Sequence, residues 1–222
     1  MLRSTLLLAT AGAAIAAASS ASAVFINFDQ DAMGAPLVAG DIITDQFAPG
    51  VNIAATGGSG LAVIFDSENP TGNDADLLTP NPGVHPSNDT PLGNVLIVNE
   101  EAFTLDMNGR VEDPNDNVGG ALSFDLNFAA TGLEITLLDI EESGGFVEFF
   151  DSGSGLRGLP ILNIPAIANG SVQTIAIDGF SFDSFVVHLA GSGAIPNLNI
   201  IPTPGAGALL AIGSIVGLRR RR

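Results

Sequence analysis

Apolar and polar residues alternate along most of this chain in short runs, broken by clusters of Gly, Asn, Asp and Pro. "ALSFDLNF" alternates without interruption: Leu122, Phe124, Leu126 and Phe128 fall on one side, Ser123, Asp125 and Asn127 on the other. A period of two is that of a strand with one buried face. "DSFVVHLA" turns Phe185, Val187 and Leu189 inward and leaves Val186 and His188 on the opposite face. "SVQTIAID" places Val172, Ile175 and Ile177 among polar neighbours, with a phase slip at Gln173-Thr174 that reads as a bulge. "GLEITLLDI" and "GGFVEFFD" are apolar on both faces in part, as strands covered by a loop or a second layer are. Further strands are expected at Val24–Asp29, Val51–Ala55, Leu61–Asp66 and Asn94–Val98. Between the two ends of the chain no stretch has a 3.6-residue period. Short strands at this density predict an all-β fold, an antiparallel β-sandwich of jelly-roll type. Residues 67–93, "SENPTGNDADLLTPNPGVHPSNDTPLG", form a long polar loop, and a loop of that length in a compact domain is functional or held by a ligand.

The two ends depart from this pattern. "MLRSTLLLATAGAAIAAASSASA" has one charge at Arg3, an apolar stretch from Leu6 through Ala18, and the small-x-small triplet Ala21-Ser22-Ala23. These are the three parts of a secretory signal peptide, cut after Ala23. At the other end, Gly205 to Leu218 is uncharged and stops at Arg219, Arg220, Arg221 and Arg222. The run is shorter than the roughly 20 residues of a stable membrane-spanning helix. Its arginines are expected to stay on the cytoplasmic side of a membrane during export. The chain therefore divides into a signal peptide (1–23), a surface domain (24–200) and a C-terminal sorting or anchor signal (201–222), which holds a hydrophobic helix.

With Ile201 before them, Pro202, Thr203 and Pro204, the apolar span and the four arginines resemble a PEP-CTERM sorting signal of Gram-negative bacteria. The resemblance implies recognition by an exosortase-type sorting enzyme, transient membrane association of the C-terminal segment, and cleavage near the Pro-x-Pro motif. Thr203 departs from the family, which usually has glutamate there. A plain C-terminal membrane anchor has the same apolar-then-basic layout. A sortase wall signal would require Leu-Pro-x-Thr-Gly, which the chain lacks. The body of the chain is also similar to exported β-sandwich domains of the choice-of-anchor kind. That likeness rests on "IFDSENPTGNDADL", "GNVLIVNE", "EDPNDNVGGALSFDL", "LLDIEE" and "LAGSGAIPNLNI", in that order. It implies a place on the cell surface or in the extracellular matrix and says little about ligand.

Charge narrows the partners. The formal net charge is −17, with no lysine, and all 24 acidic residues lie between the terminal segments, where only Arg110 and Arg157 oppose them. Such a surface excludes nucleic acid and favours divalent cations or plain solubility. With no cysteine there is neither a disulfide framework nor thiolate chemistry.

The sharpest chemical candidate is calcium, which takes six to eight oxygens from carboxylates, amides, carbonyls and water. "FDSENPTGNDAD" offers Asp66, Glu68, Asn69, Asn73, Asp74 and Asp76, with Gly72 for a tight turn. Asp139, Glu141 and Glu142 of "LLDIEE" end a strand and are placed to face the same site. The set expected to bind Ca²⁺ is Asp66, Asn73, Asp74, Asp76, Asp139 and Glu141. "EDPNDNVGG" spaces Asp113, Asn115 and Asn117 like half of an EF-hand loop, but its glycine comes one place late. The opposing reading is that these are turn-forming residues solvated at loop tips.

Carbohydrate binding, calcium-dependent or not, is the alternative function for a secreted sandwich. Such sites favour Trp or Tyr stacked on a sugar ring, and this chain has neither. Catalysis is not expected. The only histidines, His85 and His188, stand apart, no nucleophile elbow is present, and nothing singles out one carboxylate pair for glycoside hydrolysis. The sequons at Asn88 and Asn169 read as accidental. The sequence thus describes a structural or adhesive surface protein, with extracellular polysaccharide as its candidate partner.

Overall fold

The computed structural model describes residues 22–71, 74–116, 119–153 and 159–203. Ser22–Thr203 is one compact unit. Its described residues are all-β, with nine strands among them: β1 (Val24–Ile26), β2 (Val51–Thr56), β3 (Ala62–Asp66), β4 (Asn94–Val98), β5 (Gly120–Leu138), β6 (Phe146–Phe150), β7 (Ile161–Asn163), β8 (Val172–Leu189) and β9 (Ala194–Pro202). Every pairing is antiparallel, in the order β3-β4-β9-β5-β8-β6-β7, with β1 also on β9 and β2 on β5.

Two long strands make this sheet a sandwich. The first part of β5 pairs with β2 and with the second part of β8, as in Phe124↔Phe185. Its last part pairs with the start of β8 and with β9, as in Ile135↔Ile175 and Ile135↔Leu198. Register shifts between Asp125 and Gly132 separate the two halves. They also change which parity faces inward, from Leu122, Phe124 and Leu126 to Leu133, Ile135 and Leu137, all buried. An extra residue in a strand bends it and turns its side chains over. One core receives side chains from both halves of the sheet, with Phe124 stacked on Phe185 at 4.7 Å and Phe149 edge-on to Phe182 at 5.0 Å.

A second, smaller core lies behind β3 and β4 and takes in Leu138 at the end of β5, but β6 does not reach it: Phe150 on the outer side of β6 is exposed, so "GGFVEFFD" is not covered on both faces. Ala62, Ile64, Leu96 and Val98 face the main core; Val63, Phe65, Val95 and Ile97 face away, with Leu138 and Ala194. The long loops cover that outer face, through Leu77 and Leu92 from 67–93 and Val111 from the β4–β5 connection. Full burial of a side chain such as Leu77 contributes about 2 kcal/mol, which offsets part of the cost of ordering the loop. Residues 75–77 form a single 3₁₀ turn.

The phase slip at Gln173-Thr174 is not a bulge. Val172, Gln173 and Thr174 pair in unbroken register with Leu138, Leu137 and Thr136. Val172 is apolar because it packs against the second core. The irregularity of β8 comes later, between Asp178 and Ser184.

β1 lies antiparallel on the C-terminal part of β9, Val24 opposite Ile200. The compact unit therefore begins and ends at the same end of β9. Pro202 is the last residue of that strand, and Thr203 donates to the Ala129 carbonyl through both its N–H and its Oγ1. Pro204, the arginines Arg219 to Arg222, the expected hydrophobic sorting helix and residues 1–21 of the expected signal peptide lie outside the described residues, as does Asn73.

Candidate functional site: a buried carboxylate cluster

At the opposite end of β9, where that strand begins, three buried aspartates come from separate parts of the chain, Asp74 and Asp139 both within electrostatic reach of Asp116. Asp74 opens the 3₁₀ turn of the long loop, Asp116 precedes β5, and Asp139 follows it. All three are buried, at 6%, 1% and 0% relative exposure. Each ties its segment to another. Asp74 Oδ2 accepts from the Asp116 N–H at 2.6 Å, and Asp116 Oδ2 accepts from the Gly193 N–H at 2.6 Å. Asp139 Oδ1 accepts from the Gly170 N–H at 2.6 Å and its Oδ2 from Ser192 Oγ at 2.9 Å. Asp139 takes a left-handed backbone, φ +60°, a conformation Asp tolerates better than most residues. Asp74 and Asp116 thus clasp both long loops to the turn before β9, and Asp139 ties the end of β5 to the turns before β8 and β9.

The electrostatics are unfavourable to ionisation. Burial pushes the Asp74 carboxyl up to about 6, against the Asp116 hydrogen bond, with help from the charges of Asp76, Glu100 and Asp113. Asp116 is raised well above the usual carboxylate range by burial first, then by Asp74, Asp139 and Asp76, while the Gly193 N–H pulls the other way. Asp139 is raised by burial, with smaller contributions from Asp76 and Glu142. Glu141, at the exposed rim, is raised by partial desolvation and by Asp139, Glu142 and Asp76. Among the described residues no basic side chain answers these charges, and the one arginine, Arg110, pairs with Asp41 at 2.7 Å.

Several oxygens here have no partner. Asp116 Oδ1, Asn115 Oδ1, Glu142 Oε2 and Ser171 Oγ are buried with no hydrogen bond. Buried polar atoms in folded proteins are nearly always paired, so each of these needs an explanation.

Of the residues the sequence singled out, Asp74, Asp139 and Glu141 each feel the charge of Asp76, and Glu141 also feels that of Asp139. Asp66 has a local role: its carboxylate accepts from the Glu68 and Asn69 N–H groups and from Asn69 Nδ2, closing a turn at the end of β3. Asp116 was not singled out, although it lies inside "EDPNDNVGG". Reading alternate positions there selects Asp113, which is exposed, and passes over Asp116, which is buried. The available signal was the Gly119-Gly120 pair just after it, at φ +65° and +143°. A Cβ on Gly119 would meet the Gly191 and Leu189 carbonyls, so the backbone carrying Asp116 runs tightly against the β8–β9 turn.

The histidines stand elsewhere. His85 bonds to Ser87 Oγ within its loop, and His188 stacks on Phe146 at 4.2 Å. Asn88 is fully buried, its amide donating to the Leu78 and Gly170 carbonyls, so that sequon is inaccessible in the folded chain. A separate groove of about 290 Å³ runs beside β1 and is lined in part by Phe25, Asn27, Gln30, Asp31 and Phe47. Phe25 is 63% exposed there.

No protein-family model matches the chain, and no curated protein matches it. Among solved structures, the chain is similar to a carbohydrate-binding module (CBM6cm-2) from Cellvibrio mixtus lichenase 5A, solved in complex with cellotriose. The superposition covers 75% of this chain and 99% of that one, at 13% identity and a TM-score of 0.27. At that score the likeness carries no argument about ligand.

Proposed function

We propose that this chain is an exported bacterial surface or extracellular-matrix protein with a structural or adhesive role, tethered through a PEP-CTERM-like C-terminal signal. One observation supports the reading best. β1 and β9 bring the start and end of the compact unit together, with Val24 opposite Ile200. The carboxylate cluster sits where β9 begins, a strand length of about 30 Å away. A domain held at one end presents its opposite end, with the acidic loops, to its surroundings. The acidic surface suits a hydrated polymer matrix and repels anionic lipid and nucleic acid.

The test is expression of the full chain in a Gram-negative host that has an exosortase, followed by fractionation and intact-mass measurement. Loss of residues 1–23, together with cleavage close to Pro202–Pro204, is expected. Replacing Arg219 to Arg222 by alanine should abolish the second cut while leaving the first. An uncut chain in the cytoplasm would overturn the reading.

A second reading, glycan binding, has one observation in its favour. The exposed Phe25 lines the β1 groove together with Asn27 and Gln30, and an apolar ring in a groove that also holds hydrogen-bonding groups suits a sugar ring. Retention of one polysaccharide on an array, lost with Phe25→Ala, would move the function to that class.

A further inference from the structure

The buried end of the cluster poses a problem of charge. Asp116 is 1% exposed, its Oδ1 has no hydrogen-bond partner, and Asp74, Asp76 and Asp139 all act on it as like charges. An unpaired buried carboxylate is among the costliest groups a protein can hold. The chain has no lysine, and Arg110 is committed to Asp41. Among the described residues, neutralisation therefore falls to a proton or to a cation taken out of solution.

The donor chemistry separates the cations. The chain has no cysteine, and both histidines are bonded or stacked elsewhere, so soft and nitrogen-seeking metals find no ligands. Among the described residues no three His, Cys, Asp or Glu side chains close on a single point. A site here must complete its shell with neutral oxygens, such as the unpaired Asn115 Oδ1 and backbone carbonyls. Calcium accepts such mixed and irregular shells of six to eight oxygens, whereas magnesium demands a near-ideal octahedron.

We infer that Asp116 and Asp74 are the carboxylate ligands of a structural Ca²⁺, with Asp139 flanking it, and that the ion clamps the two long loops onto the start of β9. The ion gives Asp116 Oδ1 its missing partner. It also joins segments that are far apart in sequence, which no local turn achieves. Asp66 is outside this site.

The experiment titrates Ca²⁺, then Mg²⁺, into the EDTA-stripped full chain by calorimetry, with parallel thermal melts. One Ca²⁺ per chain is expected, with a rise in melting temperature of roughly 5 °C at a hundredfold excess over Kd. Asp116→Asn should weaken Ca²⁺ binding at least about tenfold, because it removes one of the ion's charged ligands. In EDTA the same variant should melt above the wild type, since it removes a buried charge and keeps the side-chain shape. Asp66→Asn should bind Ca²⁺ normally. Should Asp116→Asn fail to fold, Asp74→Asn carries the same expectation. No binding at millimolar Ca²⁺, an equal response to Mg²⁺, unchanged Ca²⁺ affinity in Asp116→Asn, or loss of binding in Asp66→Asn would each overturn the assignment. The site is read from geometry and donor chemistry alone, so its failure leaves the export reading standing, and the reverse holds too.

Discussion

Asp74 shows how burial changes what a carboxylate does for its fold. In the unfolded chain it titrates near 3.8, and in the folded one near 6. Between those values the folded state binds more protons than the unfolded state, so stability falls as pH rises through that window. In EDTA the wild type should therefore melt highest below about pH 4 and lose stability up to about pH 6. The loss attributable to Asp74 is on the order of 2 kcal/mol, after allowance for water around the side chain. Melts across pH 4 to 7.5 check this, and Asp74→Asn should flatten the slope. A slope of opposite sign would mean that Asp74 is ionised and favourably paired without metal. The same residue explains a limit of sequence reading: Asp66 and Asp74 look alike in "FDSENPTGNDAD", yet one closes an exposed turn and the other is walled in.

At the scale of elements, the long loop is a structural layer. Its apolar residues Leu77 and Leu92 pack on the outer face of β3 and β4, and Asn88 fastens its far side to the Leu78 and Gly170 carbonyls. Asn88→Ala leaves the buried Gly170 carbonyl and the part-buried Leu78 carbonyl without these donors and should cost about 2 kcal/mol. Denaturant unfolding measures the loss, and limited proteolysis should then cut within 67–93 before the sheet unfolds. The strands themselves were legible from alternation: β4 spans the expected Asn94–Val98, and β1, β2 and β3 lie within a few residues of expectation. β5 and β8 were legible only in pieces. Their alternation changes phase where each passes between layers, and a phase change looks the same in sequence as the end of one strand and the start of another.

For the molecule as a whole, the excess of acidic residues over arginine sets a self-repulsion that the fold must overcome. Salt screens charges separated by more than about 10 Å at 0.1 M. Raising NaCl from low to about 0.5 M should lift the melting temperature of the EDTA-treated chain by roughly 5 °C. A salt-independent melt would mean that the acidic side chains are spaced widely enough not to interact. Ca²⁺ should act beyond this screening, at concentrations far too low to change ionic strength.

By itself the sequence determined the all-β class, most strand positions, the acidic character and the layout of the two terminal segments. These are properties of composition and of local periodicity, and a strand's alternation is written in consecutive residues. Only the tertiary structure decided which acids are buried together. Asp74, Asp116 and Asp139 meet because β5 and β9 carry distant loops to one end of the sandwich, and no spacing along the chain encodes that. It also decided that the body begins and ends side by side, since the pairing of Val24 with Ile200 joins opposite ends of the domain. Burial, which raises the cost of charge and leaves Asp116 Oδ1 without a partner, is a property of the packed whole.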